Sequence, residues 1–394
     1  MGGLGQSPPP QESLPSRVYQ EQQNKGEELT PDTKEVGPKQ QKQQHMKQKE
    51  TNEIVKVVEN NNVVIESLLD DIVKLVITTK TNMKNIILTF TLLICSTGIV
   101  AAGNTVKSCE RSVTFDKVPE RAVSNDVNLT EMMLVLGLTD HMVGYTGISG
   151  WKTLDEEMRA GVEQLPELSA KYPSKETLVG ADADFFFAGW NYGMKVGGEV
   201  TPETLAPFGI KVYELTESCA HVMRKGKASI ADMYADLLNL GTIFDIEERA
   251  KNLVQSYKAD LENFKMSLKT ADESLRVFVY DSGEDTPFTA GRYAMPTALI
   301  EAAGGQNIMD DFEKSWGTVT WEEVVERDPE VIVIVNYGNV TAEQKRQFMM
   351  SNPAFANLSA VKNDRFVTLQ YVEATPGPRN IEAVKNLAAA FWEN

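Results

Sequence analysis

The stretch DIEERAKNLVQSYKADLENFKMSLKT, residues Asp245–Thr270, decides the fold. Ile246, Ala250, Leu253, Tyr257, Leu261, Phe264 and Leu268 recur at steps of three or four, which makes one apolar stripe of an α-helix. Glu247, Arg249, Lys251, Lys258, Asp260 and Lys265 fall on its other faces. Asp245 stands where a cap would, with Glu248 three residues on, as a capping box requires. No Gly or Pro interrupts the period, so the spacing predicts a rod of ~36 Å at ~1.5 Å per residue. Short β runs alternate with helical runs on both sides of it. A helix this long between two α/β regions reads as a spacer joining two lobes, residues 103–244 and 272–394, with 245–271 as the link. The alternative is one surface helix of a single large domain.

The 394 residues suffice for two ordinary domains, and the net charge of −17 excludes a broad basic footprint for nucleic acid. From Gly103 onward there are 28 Lys and Arg against 44 Asp and Glu, so nearly all the acidity belongs to the part expected to fold. Residues 1–50, rich in Gln, Lys, Glu and Pro, lack the apolar content for a core and read as disordered. Residues 51–80 fit an isolated helix. In MKNIILTFTLLICSTGIVAAGN, Lys84 is the basic end, Ile86–Val100 the apolar middle and Val100-Ala101-Ala102 a small-residue cleavage site, which is the form of a secretory signal peptide. Because this segment begins at Met83, residues 1–82 read as an over-extended start. The alternative is a real cytoplasmic tail with Ile86–Ala102 kept as a short membrane anchor. Ile94 before Cys95 is a poor fit to a lipoprotein site, so export without lipidation to the periplasm is expected.

Export makes the cysteines informative. Past residue 102 two remain, Cys109 and Cys219, an even number in an oxidising compartment. A bridge between them would close a loop worth about 4–5 kcal/mol in the chain-entropy model. Two separate buried thiols are the alternative.

In chain order, ERAVSNDVNLTEMMLVLGLTDHMVGYTG reads as strand, loop, helix, strand, with Asn128 or Thr130 as the cap and Gly137 as the stop. Phe185–Ala188 is a wholly apolar strand, expected to be buried on both faces of a parallel sheet. Helix Pro202–Phe208 and strand Ile210–Leu215 follow. Past the long helix the plan restarts: strand Arg276–Tyr280, helices Pro296–Ala303 and Thr320–Arg327, strand Val331–Val335, helix Ala342–Met350, strand Phe366–Leu369 and helix Ile381–Trp392. Strands alternating with helices mean βαβ units, an α/β fold. SKETLVGADADFFF from Ser174 and TWEEVVERDPEVIV from Thr320 echo each other, with Glu176, Asp182 and Asp184 matching Glu322, Asp328 and Glu330. Two copies of one helix–strand unit support two similar lobes.

No phosphate-binding glycine loop and no G-x-S-x-G elbow occurs in the sequence. His141 and His221 are too few and too far apart for a metal cage or a nucleophile–base pair. The apparatus is that of a binder, with no intrinsic cofactor or metal expected. In open α/β sheets ligands bind beyond the carboxyl ends of the strands. Those positions hold Tyr145 and Trp151, then Trp190, Asn191 and Tyr192, then Arg292 and Tyr293, and finally Trp316, Tyr337, Tyr371 and Arg379. Aromatic rings offer flat apolar faces, and arginine a permanently charged fork for carboxylate, catecholate or phosphate oxygens. For each ring taken singly, core packing is an equal alternative.

The segments VPERAVSNDVNLTEMMLVLGLTDHMVGYTG, YPSKETLVGADADFFFAGW, LAPFGIKVYEL, PFTAGRYAMPTALIEAAGGQNI and WEEVVERDPEVIVIVNYG cover most of residues 113–340. In content and order they resemble the periplasmic substrate-binding proteins of ABC importers for ferric siderophores and cobalamin. The resemblance implies two Rossmann-like lobes joined by a single long α-helix, a ligand held in the cleft between them, and little hinge closure. It also implies that one Glu on each lobe meets arginines of the membrane permease; the matching positions are Glu176 and Glu301. The run SNDVN departs from the family's Ser- and Pro-rich one, and the loops WNYGMKVGGE and GRYAMP match no ligand subgroup. The related Zn/Mn-binding proteins need several His ligands, which this chain does not offer.

The leading expectation is a monomeric, exported binding protein that captures a ferric siderophore and delivers it to an inner-membrane importer. Aromatic rings would cover the chelate, and Arg292, Arg379 and Arg224 would neutralise its oxygens. Cobalamin or another large cofactor is the alternative ligand; an exported enzyme or metal-centre assembly protein is the alternative class.

Overall fold

The computed structural model describes residues 103–150, 152, 156–267 and 274–392. The expectations for residues 1–82, for the signal peptide at 83–102 and for Trp151 lie outside them. No helix among the described residues is long and apolar enough to cross a membrane.

The molecule is a mixed α/β protein of two lobes, each built on its own parallel sheet. A hairpin of β1 (Asn104–Ser108) and β2 (Arg111–Phe115) precedes the first sheet. That sheet contains β3 (Ala122–Asn125), β4 (Met142–Thr146), β5 (Glu167–Ser169), β6 (Phe185–Trp190), β7 (Gly193–Met194) and β8 (Lys211–Glu214). Its order is β5-β4-β3-β6, with β7 and β8 both pairing with β6, and every pairing is parallel. The second sheet contains β9 (Leu275–Tyr280), β11 (Gly305–Asn307), β13 (Val331–Asn336) and β14 (Phe366–Gln370) in the order β11-β9-β13-β14, again all parallel. A small antiparallel pair, β10 (Phe288–Ala290) with β12 (Trp316–Thr318), stands beside it. Helices cover both faces of a sheet of this kind, so its central strands read as unbroken apolar runs. Phe185, Phe186, Phe187 and Ala188 are fully buried, as are Val333 and, within a per cent, Ile334 and Val335.

Between the sheets run two helices, Ile230–Ile243 and Glu247–Ser267, packed as an antiparallel pair. The second is the rod read from the sequence. Ala250, Val254 and Leu261 are its most buried residues, and Ile246, Leu253, Tyr257 and Phe264 lean on the same core. Its partner was not foreseen. Where the two helices meet at the turn, a Cβ on Gly241 would stand 2.4 Å from the Ala250 methyl, so glycine is what lets them touch. Asp245 does not act as the expected first-turn cap. It sits at the tip of the turn in the left-handed region (φ 58°), its N–H directed at the Thr242 carbonyl. The pair belongs to one apolar cluster that runs from Phe185 and Tyr213 through Leu237, Leu240 and Ala250 to Val277, Leu299 and Leu387. The pair therefore packs into the same apolar cluster as both sheets.

The two lobes repeat each other closely. Ser174 and Thr320 cap the helices Lys175–Gly180 and Trp321–Arg327 through their hydroxyls. Asp182 and Asp328 follow in the left-handed conformation (φ 52° and 40°), ahead of β6 and β13. In the first lobe Asp184 accepts from the Arg121 N–H, and the Arg121 Nε donates to the Asp182 carbonyl; in the second, Glu330 accepts from the Arg276 N–H, and the Arg276 Nε donates to the Asp328 carbonyl. The Arg of each unit escaped the sequence comparison because it lies in the preceding strand region.

The hairpin β1–β2 is tied down at Glu214. That buried carboxylate takes hydrogen bonds from Ser108 Oγ and the Arg111 guanidinium on Oε2 and from Trp190 Nε1 on Oε1. Cys109, at the hairpin's turn, is joined to Cys219 by a disulfide, with Cα atoms 5.3 Å apart.

Candidate functional site

The carboxyl ends of β6, β9, β13 and β14 open on a cleft between the lobes of about 270 Å³. From the first lobe come Asn191 and Tyr192, in the turn after β6, and His221, at the end of the 3-10 turn Glu217–His221. The second lobe supplies Asp281 after β9, Phe288 and Trp316 of the small antiparallel pair, Ser315 just before β12, and Tyr337 after β13. Tyr371, Ala374 and Thr375 complete the wall beyond β14. Asn191, Tyr192, Asp281, Tyr337 and Tyr371 stand directly beyond the carboxyl ends of parallel strands; the rest of the wall comes from other segments.

The rings are held in place. Trp316 lies nearly parallel to Phe288, centroids 6.1 Å apart, and Tyr337 packs on Tyr371 at 5.4 Å. The Tyr337 hydroxyl donates to Asp281 Oδ2 at 3.0 Å, as does Ser282 Oγ at 2.8 Å. Burial raises the Asp281 carboxyl above its ordinary value, with the two donors and the nearby Lys345 acting against the shift. Partial desolvation also lowers the His221 imidazole below its ordinary value. Burial carries the hydroxyls of Tyr192, Tyr337 and Tyr371 well above the usual tyrosine range, which keeps them as donors.

Behind the cleft the lobes are clasped by buried polar contacts. Asp126 caps the helix Val127–Val135 through the Val127 N–H, in place of the expected Asn128 or Thr130. Its side chain is fully buried, pairs with the Lys152 ammonium, and accepts from the Tyr371 hydroxyl of the other lobe at 2.9 Å. Burial lowers the Lys152 amine more than Asp126 restores it. The Arg379 Nε donates to Glu131 at 2.6 Å, and Asn128 Nδ2 to the Pro376 carbonyl at 2.7 Å. Ser315 Oγ donates to Glu217 at 3.1 Å. Glu217 is fully buried, and desolvation pushes its carboxyl up to about 8.

Of the residues expected in the site, Tyr192, Trp316 and Tyr337 line the cleft, together with Asn191 and Tyr371. The others fall elsewhere. Because β6 runs two residues past Ala188, Trp190 lies inside the sheet with its indole on Glu214. Tyr145 belongs to a side core with Val127, Ile148, Met158 and Val162. Tyr293 is half-buried and outside the cleft wall. The expected neutralisers are also outside it: Arg292 faces Glu313 at 3.3 Å, Arg379 is held by Glu131, and Arg224 is exposed away from the wall. Sequence reasoning missed Asp281, His221, Phe288 and Ser315. Asp281 directly follows the predicted strand Arg276–Tyr280, so the rule that found Tyr337 applied to it equally.

Among the described residues no group of three or more His, Cys, Asp or Glu is placed to hold a metal ion. A ring-lined cleft between two lobes, each built on a parallel sheet, fits a bilobed binding protein. The chain belongs to the periplasmic binding protein family, whose model matches residues 123–373. It is similar to YvrC of Bacillus subtilis (strain 168), described as an uncharacterized ABC transporter substrate-binding lipoprotein, at 25 % identity over 285 residues, 72 % of this chain and 83 % of that one. The vitamin B12-binding protein of Pectobacterium carotovorum is 23 % identical over 218 residues, 55 % of this chain and 71 % of its own. A solved protein of an ABC-type Fe3+-hydroxamate transport system from Saccharomonospora viridis has a TM-score of 0.62 at 24 % identity, covering 73 % of this chain and 98 % of that one, a likeness of fold. Proteins of this family bind substrates for membrane permeases and carry no intrinsic cofactor.

Proposed function

We propose that this protein captures a metal chelate, a ferric siderophore, in the cleft between its lobes and hands it to the permease of an ABC importer. The observation that carries the reading is the set Tyr192, Phe288, Trp316, Tyr337 and Tyr371, rings gathered from both lobes around one opening. Flat rings match the apolar outer surface of a wrapped metal ion, and hydroxyl and amide groups among them match its peripheral oxygens and nitrogens. Cobalamin is the second reading, favoured by the name of the Pectobacterium relative. In either case the protein binds and does not transform its ligand. We take the lobes as residues 103–244 and 272–394, linked by 245–271, with export to the periplasm. Glu176 and Glu301, both exposed, one on each lobe, are the permease contacts in this reading.

Titration of tryptophan fluorescence tests it, with hydroxamate, catecholate and citrate ferric chelates, cobalamin and haem as the panel. Saturable quenching at sub-micromolar concentration by one member is expected. A flat response to all of them would contradict the reading.

A further inference from the structure

The cleft wall holds a carboxylate and no lysine or arginine among its described residues. Among its described residues only Asp281 and His221 titrate at or below neutral pH, and partial desolvation lowers the His221 imidazole. The rest of its polar surface is uncharged: Asn191, Ser315, Thr375, the indole of Trp316 and the tyrosine hydroxyls. The nearby cations are spent or screened. Lys152 is paired with Asp126 under Tyr371. Lys345 is buried behind the Tyr337 ring, 5.1 Å from its centroid, and donates to the Val335 carbonyl. Arg292 and Arg379 are paired outside the wall.

Asp281 is also incompletely satisfied. Both of its donors, Tyr337 and Ser282, go to Oδ2, so Oδ1 has no hydrogen-bond donor among the described residues. Oδ1 is not among the fully buried atoms that lack a partner, so it is reachable by solvent, and a ligand N–H or cation would supply the donor it lacks. A polyanionic chelate would do the opposite, bringing like charge beside Asp281 with no counter-charge in the wall. Resting on the reading of this cleft as the ligand site, we infer that it accepts neutral or cationic chelates bearing an amide or ammonium N–H edge and rejects polyanionic ones. Asp281 is then the residue that sets the specificity.

Calorimetric titration of the full chain tests this with two series. One is ferric: cationic ferrioxamine B, neutral ferrichrome and the trianionic enterobactin complex. The other is corrinoid: cationic aquacobalamin and neutral cyanocobalamin. Binding is expected only from neutral and cationic members. In the series that binds, Asp281→Asn, which keeps the Tyr337 and Ser282 contacts, should lower the cationic-to-neutral affinity ratio about tenfold, the scale of a hydrogen bond to a charged group. Enterobactin binding as tight as that of a neutral member would overturn the inference while leaving the cleft reading intact. An unchanged ratio in Asp281→Asn would overturn it too. No binding by any member would remove the cleft reading, and this inference with it.

Discussion

Glu217 is the residue whose ionisation the fold resists most plainly. Its carboxyl is held neutral between the lobes, against Ser315, with its native value near 8 and its ordinary value at 4.5. The raised value means that its contribution is fully present below pH 4.5 and is lost as pH climbs through about 8. In that window the group removes up to about 1.4 kcal/mol of stability per pH unit. Asp236, raised to about 7 by burial, acts in the same direction, so the informative comparison is between wild type and Glu217→Gln. The variant should unfold at a higher temperature than wild type at pH 8 and show a shallower fall between pH 5 and 8. Parallel pH profiles would contradict this. Such placement was not legible in the sequence, where Glu217 is one acid among many. Arg379 shows the same limit: its guanidinium could be read, but its partner Glu131, 248 residues away, could not.

Periodicity made the elements far more legible than the contacts. The long helix, the buried strands β6 and β13 and the repeated cap–helix–strand unit all follow from spacing, because apolar recurrence reports directly which face is buried. The helix Ile230–Ile243 also had its signals, a Ser229–Asp232 capping box and a stripe through Met233, Leu237 and Leu240, and Gly241 near its end weakens the pattern. That glycine has a packing reason. Gly241→Ala should cost about 1–3 kcal/mol through collision with Ala250, and adding Ala250→Gly should recover part of it in chemical denaturation. A neutral Gly241→Ala would mean that the helix pair is looser than described. The hairpin β1–β2 was missed for a different reason: its buried residues, Val106, Val113 and Phe115, are too few to stand out without the sheet they pack on.

At the scale of the molecule, the docking proposal takes one exposed glutamate from each lobe, Glu176 and Glu301, and the structure adds one detail to it. Glu301 is paired with Lys227 at 3.2 Å, while Glu176 is fully exposed and held low first by its own backbone N–H and then by Ser174. Docking on Glu301 would exchange Lys227 for a permease arginine. Uptake in cells should therefore fall in the double variant Glu176→Ala, Glu301→Ala with ligand affinity retained, and Lys227→Ala should not impair it. Undiminished uptake in the double variant would sink the docking assignment. The central claim, that the interlobe cleft is the ligand site, rests on rings and not on the arginines that the sequence suggested. Its most direct measurement is the dissociation constant of the chelate for Trp316→Ala beside Arg292→Ala. Losing the stacked Trp316 face should weaken binding about tenfold or more, while Arg292→Ala, which removes an exposed pair with Glu313, should leave it unchanged. Full affinity in Trp316→Ala with loss in Arg292→Ala would place the ligand elsewhere.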